Sequence, residues 1–393
     1  MSDLNVFRQE TRAWLEANCP EAMRTPLRSE ADLCWGGLNC VFPSEDQKHW
    51  LDSMAQKGWT VPTWPTEYGG GGLNREQDKI LKQELDRIQA RSPLESFGIS
   101  MLGPALLKFG SEALKQQHLP RIARGEIRWV QGYSEPNAGS DLASLQMRAD
   151  DQGDHYNVNG SKVWTSYGDQ GDWMFCLVRT DFEVKKHEGI SFVLFDMTSK
   201  GVSTRPIKLI SGKSPFTETI LEDVRIEKDQ VVGEVNKGWT VAKYLLTHER
   251  EMIANSGISR AGIVALSTTA IEQLGTDDGV LGDCLLRGDI ARYEIDEACL
   301  TLSIERARDE AKAGASLGAA SSMFKYYGTE LNKRKYELLM TINGLDSLAW
   351  DGEDSDDGSL PKAWLRTKGN SIEGGTSEIQ LNIVAKRILG LPG

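Results

Sequence analysis

The hydrophobic pattern of this chain changes period twice, and that limits its possible folds more than any other feature. From the start to about Gly125 the pattern is helical. Ser44 with Gln47 makes a capping-box pattern ahead of a helix through about Gln56. Asn74 with Gln77 repeats it ahead of a longer helix, in which Ile80, Leu81, Leu85 and Ile88 keep helical spacing. Trp64–Gly72 (WPTEYGGGG), between these helices, reads as loop, and Leu102–Phe109 and Ser111–Ala123 read as two further helical segments. Near Ile127 the period falls to two. His155–Gly160 alternates and ends in Asn159-Gly160, a pair that predicts a hairpin turn. Trp173–Val178, Ile190–Phe195 and Thr217–Ile226 read as strands, separated by Gly, Asp and Ser clusters. The β block ends near Gly233. From about Gly238 the helical period returns, predicting long antiparallel helices over Val241–Ala270, Gly282–Ala313 and Ser316–Asn343, with one more near Ser377–Leu389. Asp351–Gly358 (DGEDSDDG) reads as a solvated connection.

This order predicts three domains: helical over 1–125, β over 126–234 and a helical bundle over 235–393. A cleft between a β-domain and helical domains suits a flat ligand. A chain of 393 residues, 39% hydrophobic and 26% charged, can bury the core this requires. Its net charge of −12 argues against non-specific nucleic-acid binding, which needs a basic face, but leaves room for a local anion site. No apolar run approaches the ~20 residues of a membrane span. The N-terminal MSDLNVFRQE resembles neither a signal nor a transit peptide. The six cysteines are scattered without a C-x-x-C pair, so reduced thiols in a cytoplasmic protein are expected. The five histidines form no H-x-x-x-H, and no metal site is expected.

Chemistry concentrates in Trp129–Ala149 and Gly160–Ser166. A chain that holds a pyrophosphate needs exposed amides and few Cβ atoms, which Gly139-Ser140 supplies. A flat heteroaromatic ring needs a large π-face and polar atoms at its edge, which Trp164 and Ser166 supply. The alternative is a plain β-hairpin whose turn is rich in Ser, Gly and Pro for turn reasons alone.

Gly132–Asp141 (GYSEPNAGSD), Gly160-x-Lys162-x-Trp164-Thr165-Ser166 and Gly374–Gln380 (GGTSEIQ) occur in that order, with WPTEYGGGG ahead of them. In these motifs the chain resembles the acyl-CoA dehydrogenase family over nearly its whole length. Tyr133 stands where an aliphatic residue is usual. The resemblance implies an α+β fold with an N-terminal helical domain, a middle β-barrel-like domain and a C-terminal four-helix bundle. It implies FAD held between the β-domain and the bundle, with Gln131, Ser134, Gly139 and Ser140 lining the flavin and its pyrophosphate. It further implies Trp164 on the isoalloxazine, Ser166 near its redox-active nitrogen, and Thr376 and Glu378 on the cofactor of a neighbouring subunit. Ser140, Arg250 and Gly375 would meet the acyl-CoA. The implied reaction is α,β-dehydrogenation of the thioester, and electron-transferring flavoprotein is the implied acceptor. The implied assembly is a homotetramer or a heterotetramer with a related subunit. There is no G-x-G-x-x-G to support a nicotinamide site.

The base does not stand where many members of that family carry it. Gly374 occupies that position, and Glu373 lies one residue earlier. Some members carry the base on a bundle helix in an aliphatic-x-Glu-Arg context. Leu246-Thr247-His248-Glu249-Arg250 matches that context and makes Glu249 the expected base. The competing readings are a surface glutamate at 249, a surface charge at Arg250, core packing for Trp164, and Glu373 as the base. His248 points ~100° away from Glu249 on a helix, which disfavours a dyad. An Arg-x-x-Phe-Gly segment is not visible near Gly275–Arg287, and Met340–Leu348 (MTINGLDSL) replaces Gln-x-x-Gly-Gly-x-Gly. These departures resemble divergent members that act on aromatic, alicyclic, dicarboxylic or steroid-side-chain acyl-CoAs, some of which form mixed tetramers. Two rival readings follow: a non-catalytic subunit that completes a partner's FAD site, and an oxygen-using flavin oxidase or monooxygenase.

Overall fold

Side-chain caps fix where the N-terminal helices begin. The structure, a computed structural model, describes residues 3–25, 32–254, 265–312 and 318–392, excluding the side chains of 247–254, 308, 311–312 and 353–355. Helices α1 (Asp3–Asn18), α2 (Glu45–Gln56), α3 (Arg75–Arg87), α4 (Gly103–Phe109) and α5 (Glu112–Ala123) come first. The Ser44 hydroxyl accepts the Gln47 N–H at 3.2 Å, and the Asn74 carboxamide accepts the Gln77 N–H at 3.0 Å. The second cap is reciprocal, because Gln77 accepts the Asn74 N–H; Gln47 instead donates to the Asp32 carbonyl. Leu15, Trp50, Met54 and Leu81 form the core beneath α1 to α3.

Seven strands follow: β1 (Trp129–Gly132), β2 (Arg148–Asp151), β3 (His155–Ser166), β4 (Trp173–Arg179), β5 (Ile190–Asp196), β6 (Val202–Ile207) and β7 (Phe216–Glu227). Residues 174–179 of β4 are all buried, so both faces of that strand are covered. Met174, Cys176 and Val178 enter one core with Val158, Val193 and Val224. On the other face Phe175 stacks on Phe192 with centroids 6.1 Å apart. β4 runs parallel to β1 and antiparallel to β5, while β3 pairs antiparallel with β2 and β7, and β6 lies outside β7. Irregularities in the long β3–β7 ladder mark where this sheet curls.

One such irregularity corrects a sequence expectation. Asn159-Gly160 does not turn the chain; it lies within the 12-residue strand β3. Gly160 has φ +144° at a register shift, and a Cβ there would lie 3.1 Å from the Met147 Cα. Asn159 is held across the ladder by the Asp223 N–H and carboxylate. A glycine facing a bulge and a glycine in a hairpin turn leave the same mark in sequence.

The chain divides into two compact units, Met1–Ile207 with Pro215–Leu245, and Lys208–Ser214 with Leu246–Gly393. Helix α6 (Gly238–Ala254) runs from the first unit into the second. The second holds α7 (Leu266–Leu274), α8 (Cys284–Lys312), α9 (Ala320–Asn343), α10 (Ser359–Thr367) and α11 (Ser377–Arg387). Residues 255–264, inside the helix predicted over Val241–Ala270, lie outside the described residues. Helix α9 packs against α7, α8, α10 and α11. Leu266, Ile290, Tyr293, Phe324 and Leu331 are buried in this unit's core. Helix α10 was not predicted. The acidic connection winds into a 3-10 turn over Glu353–Gly358 just before it.

Candidate functional site

In the first unit, the motif after β1 is built around a buried ion pair. Glu135 and Ala138 close a tight turn by exchanging backbone hydrogen bonds at 3.1 and 3.0 Å. The Glu135 carboxylate turns inward, where it accepts the Lys162 ammonium at 2.7 Å and the N–H groups of Gln146 and Met147 at 2.6 and 2.9 Å. Lys162, 0% exposed, also donates to the Tyr133 carbonyl. The Val163 N–H donates to the Ser134 carbonyl at 2.8 Å and lays the loop along β3. These inward bonds leave Ser134 half-buried and Gly139 and Ser140 exposed. A Cβ on Gly139 would meet nothing within 4 Å, and its φ is not in the left-handed region. Neither packing nor backbone conformation therefore demands glycine here. Asp141 caps the exposed end: the Lys186 ammonium, then the Ser144 hydroxyl, hold its carboxyl below the usual range.

The ladder slips between Lys162 and Thr165, and the slip turns Trp164 outward. Trp164 has φ +64°, rare for a bulky residue, and is 54% exposed. Its ring meets that of Phe216 steeply, with centroids 5.9 Å apart. Exposed to that degree, Trp164 is not core packing. Ser166 follows, half-buried and paired with Phe216. Gln131 lies in β1 opposite Phe175. The structure thus brings the Ser134 loop beside the Trp164 strand, as the motifs require. Tyr133 is buried edge-on between Phe175 and Phe192 at 6.2 and 6.3 Å, where its ring fills space beneath the loop.

In the second unit, Gly374 and Gly375 stand at φ +63° and +88° ahead of α11. A glutamate at 374 would have to adopt this left-handed backbone, which strains any residue carrying a Cβ. Thr376 is the N-cap of α11, its hydroxyl accepting the Ile379 N–H at 3.3 Å. Glu378 is exposed in the first turn of that helix. Its own backbone N–H, then the Thr376 hydroxyl, hold its carboxyl below the usual range. The Lys325 ammonium, on the buried face of α9, donates to the carbonyls of Asn370 and Gly375 at 2.9 and 2.8 Å. Glu373 is already engaged: Arg366 donates to it at 2.8 Å and the Asn370 carboxamide to its other oxygen. The backbone of Glu249 and Arg250 lies in α6, and their side chains fall outside the described residues.

The sequence reading passed over Glu135, Lys162 and Lys325 as supports of these loops. Lys162 could have been found, because alternation from Tyr156 and Val158 places it on the core face of β3.

Comparison with known proteins identifies the fold and the family. Residues 3–126, 131–224 and 236–389 match the N-terminal, middle and C-terminal domains of acyl-CoA dehydrogenase. The chain is 32% identical to acyl-CoA dehydrogenase IpdE1 of Mycobacterium tuberculosis, covering 100% of this chain and 99% of that protein. Among solved structures, the Tcur3481-Tcur3483 steroid ACAD superposes with a TM-score of 0.77 at 30% identity, covering 100% of this chain and 98% of that one. The ChsE4-ChsE5 complex from Mycobacterium tuberculosis gives 0.73 at 29% identity, covering 100% and 98%. Among the described residues no helix is long and apolar enough to cross a membrane. The helical, curled-sheet and helical segments appear in the expected order, each matches its domain, and the chain belongs to the acyl-CoA dehydrogenase family of oxidoreductases.

Proposed function

We propose that this chain is an FAD-dependent dehydrogenase that converts an acyl-CoA thioester to its 2-enoyl-CoA, with Glu249 as the base. The observation that carries this reading is Trp164, turned out of its strand and 54% exposed, beside a loop whose Gly139 and Ser140 are exposed. These residues fit a flavin dinucleotide. Trp164 and Ser166 would hold the ring and Gln131, Ser134, Gly139 and Ser140 its polar and pyrophosphate groups, while Thr376 and Glu378 would reach the cofactor of a neighbouring subunit. Bound FAD supplies the acceptor for the hydride that leaves the β-carbon.

The remaining chemistry belongs to the chain. A carboxylate must take the α-proton, and a donor must hold the thioester oxygen as enolate charge develops; such a donor is worth about 3–4 kcal/mol. A backbone N–H in the Gly374–Thr376 segment can serve as that donor whatever side chains surround it. Arg250 and Ser140 would bind the acyl-CoA. Glu373 is occupied by Arg366 and Asn370, and position 374 carries no side chain, which favours a carboxylate arriving from α6. Glu249→Gln should keep FAD and slow flavin bleaching by substrate about 10²–10⁴-fold. Glu373→Gln should leave most of that rate. The opposite result would transfer the role to Glu373.

Likeness to the Tcur3481-Tcur3483 steroid ACAD supports a bulky, ring-bearing acyl chain. A bleaching screen across short, branched, aromatic, dicarboxylic and steroid-side-chain CoA esters tests this. The two solved two-component assemblies support a heterotetramer with a related subunit over a homotetramer. They also favour a second reading, in which this chain completes a partner's FAD site. Purifying the chain alone separates the two, since bound yellow cofactor with substrate bleaching excludes a purely structural subunit. We retain domain boundaries at 125/126 and 234/235, a cytoplasmic location and electron-transferring flavoprotein as acceptor within this proposal. Rapid reoxidation of the reduced protein by oxygen would favour an oxidase instead.

A further inference from the structure

The segment between Leu33 and Val41 carries two cysteines that the flavin chemistry does not use. Gly36 and Gly37, at φ +65° and +105°, reverse the chain between them. A Cβ on Gly36 would lie 2.3 Å from the Gly125 carbonyl oxygen, so the reversal is packed tightly against the end of α5. The Gly37 N–H donates to that carbonyl at 2.8 Å, and the Cys40 N–H donates to the Gly37 carbonyl at 3.2 Å. The buried Asp172 carboxylate fixes the far side by accepting the N–H groups of Leu38 and Arg128 at 2.9 and 2.8 Å. Cys34 and Cys40 both line one cavity of about 380 Å³, together with Trp35, Arg128, Asp169 and Asp172. The Arg128 guanidinium lies 5.0 Å from the rings of both Trp35 and Tyr167.

The two thiols are unlike. Cys34 is buried at 3% exposure, and Cys40 is half-buried. The Cys34 thiol donating to its sulfur, then the Gly36 N–H and the Arg128 charge, bring Cys40 down to about 7 against the opposing burial and Asp172. Cys34 is pushed up by Cys40 and by burial, with Asp52 a smaller contributor. One sulfur is therefore the more reachable and is drawn toward the thiolate, and the other is buried and protonated beside it.

We propose that Cys40 is a peroxide-reactive thiol and Cys34 its resolving partner, so that hydrogen peroxide closes a disulfide across the Gly36-Gly37 reversal. The Cys40 thiolate attacks one peroxide oxygen and breaks the O–O bond. The released hydroxide takes a proton to leave as water, and Cys40 becomes a sulfenic acid. The Cys34 sulfur then attacks the Cys40 sulfur, the S–O bond breaks, and the Cys34 proton leaves with the hydroxide as a second water. Two thiols lose two electrons and the peroxide gains them. The proposal is independent of the flavin reading.

At pH 7 the gain in thiolate fraction, offset by lower intrinsic nucleophilicity, makes Cys40 roughly fivefold faster than an ordinary exposed thiol. The test treats the full reduced chain with graded hydrogen peroxide, alkylates the remaining thiols after denaturation, and maps tryptic peptides. Residues 29–48 form one tryptic peptide that holds both cysteines. That peptide should lose both alkylation sites and the mass of two hydrogens before the exposed Cys284 and Cys299 react. Cys34→Ser should stop at a sulfenic acid on Cys40 that dimedone traps, and Cys40→Ser should leave Cys34 alkylatable. Arg128→Gln should slow the loss. The proposal falls if the peptide keeps both thiols at peroxide levels that oxidise Cys284 and Cys299. It falls equally if Cys34→Ser yields no dimedone adduct, or if the bond formed links two chains.

Discussion

Lys162 in the sheet unit and Lys325 in the helical unit are both 0% exposed, and each ammonium holds a loop that carries a family motif. Lys162 meets a carboxylate, Glu135, at 2.7 Å, and that carboxylate in turn gathers two backbone N–H groups. Lys325 instead donates to two main-chain carbonyls, those of Asn370 and Gly375. The first loop depends on one particular side chain. The second is gripped at main-chain carbonyls, so the Lys325 contacts do not depend on which side chains stand at 370 and 375. Gly374 needs no side chain for its part in this loop: its carbonyl accepts the Gln380 carboxamide at 2.9 Å, and its φ of +63° suits glycine.

The largest effect should come from breaking the first anchor. Lys162→Met leaves the Glu135 charge buried without its counter-ion, and we expect about 3–5 kcal/mol of lost stability. Glu135→Leu added to that variant should recover part of the loss, because both charges are then gone. Urea unfolding of the single and double variants measures this. If Lys162→Met unfolds at the wild-type midpoint, the ion pair does not organise the loop.

Lys325→Met should cost less, about 2–4 kcal/mol, because it strands two carbonyls rather than a charge. Side-chain changes in the loop it holds should cost less still. The Arg366–Glu373 pair is 38% and 31% exposed, so Glu373→Gln should change stability by less than about 1 kcal/mol. A loss for Glu373→Gln as large as for Lys325→Met would show that the second loop also depends on its side chains, and the contrast would disappear.

Much of this architecture was legible where local and tertiary signals coincide. The Ser44 and Asn74 caps start helices where expected, and the apolar run Ile190–Phe195 is a strand buried on both faces. The motif residues around Ser134 and Trp164 come together through one backbone hydrogen bond, Val163 to Ser134. What escaped the sequence is non-local. Gly160 looks like a turn until Met147 is placed against it. Alternation puts Lys162 on the core face of β3, but a buried charge there makes sense only once Glu135 turns inward 27 positions away. Lys325 lies on the same helix face as the buried Ser322 and Thr329, and a run of polar residues there hides the core side of α9. In each case a close approach or a buried charge is explained by a partner distant in sequence.

The smallest expected effect is a difference in pH response. His118, in the sheet unit, is buried edge-on between Trp129 and Trp173 at 5.1 and 4.9 Å, with its Nε2 3.0 Å from the Gln230 Oε1. Burial holds it below the ordinary 6.5, and the Gln230 contact only partly offsets this. As pH falls through 6.5 the unfolded chain takes up a proton that the folded chain still refuses. The unfolded state then binds more protons, so stability is full above that value and declines with falling pH until the folded histidine also protonates. One such group contributes at most about 1.4 kcal/mol per pH unit. The helical unit has a single histidine in its sequence, His248, whose side chain lies outside the described residues. Urea midpoints followed by tryptophan fluorescence between about pH 7 and pH 5.5 lie above the range where ordinary carboxylates titrate, and running them in a Cys40→Ser background removes the one thiol brought into that window. His118→Gln should flatten the slope, and an unchanged slope in that variant would place the sensitive group elsewhere.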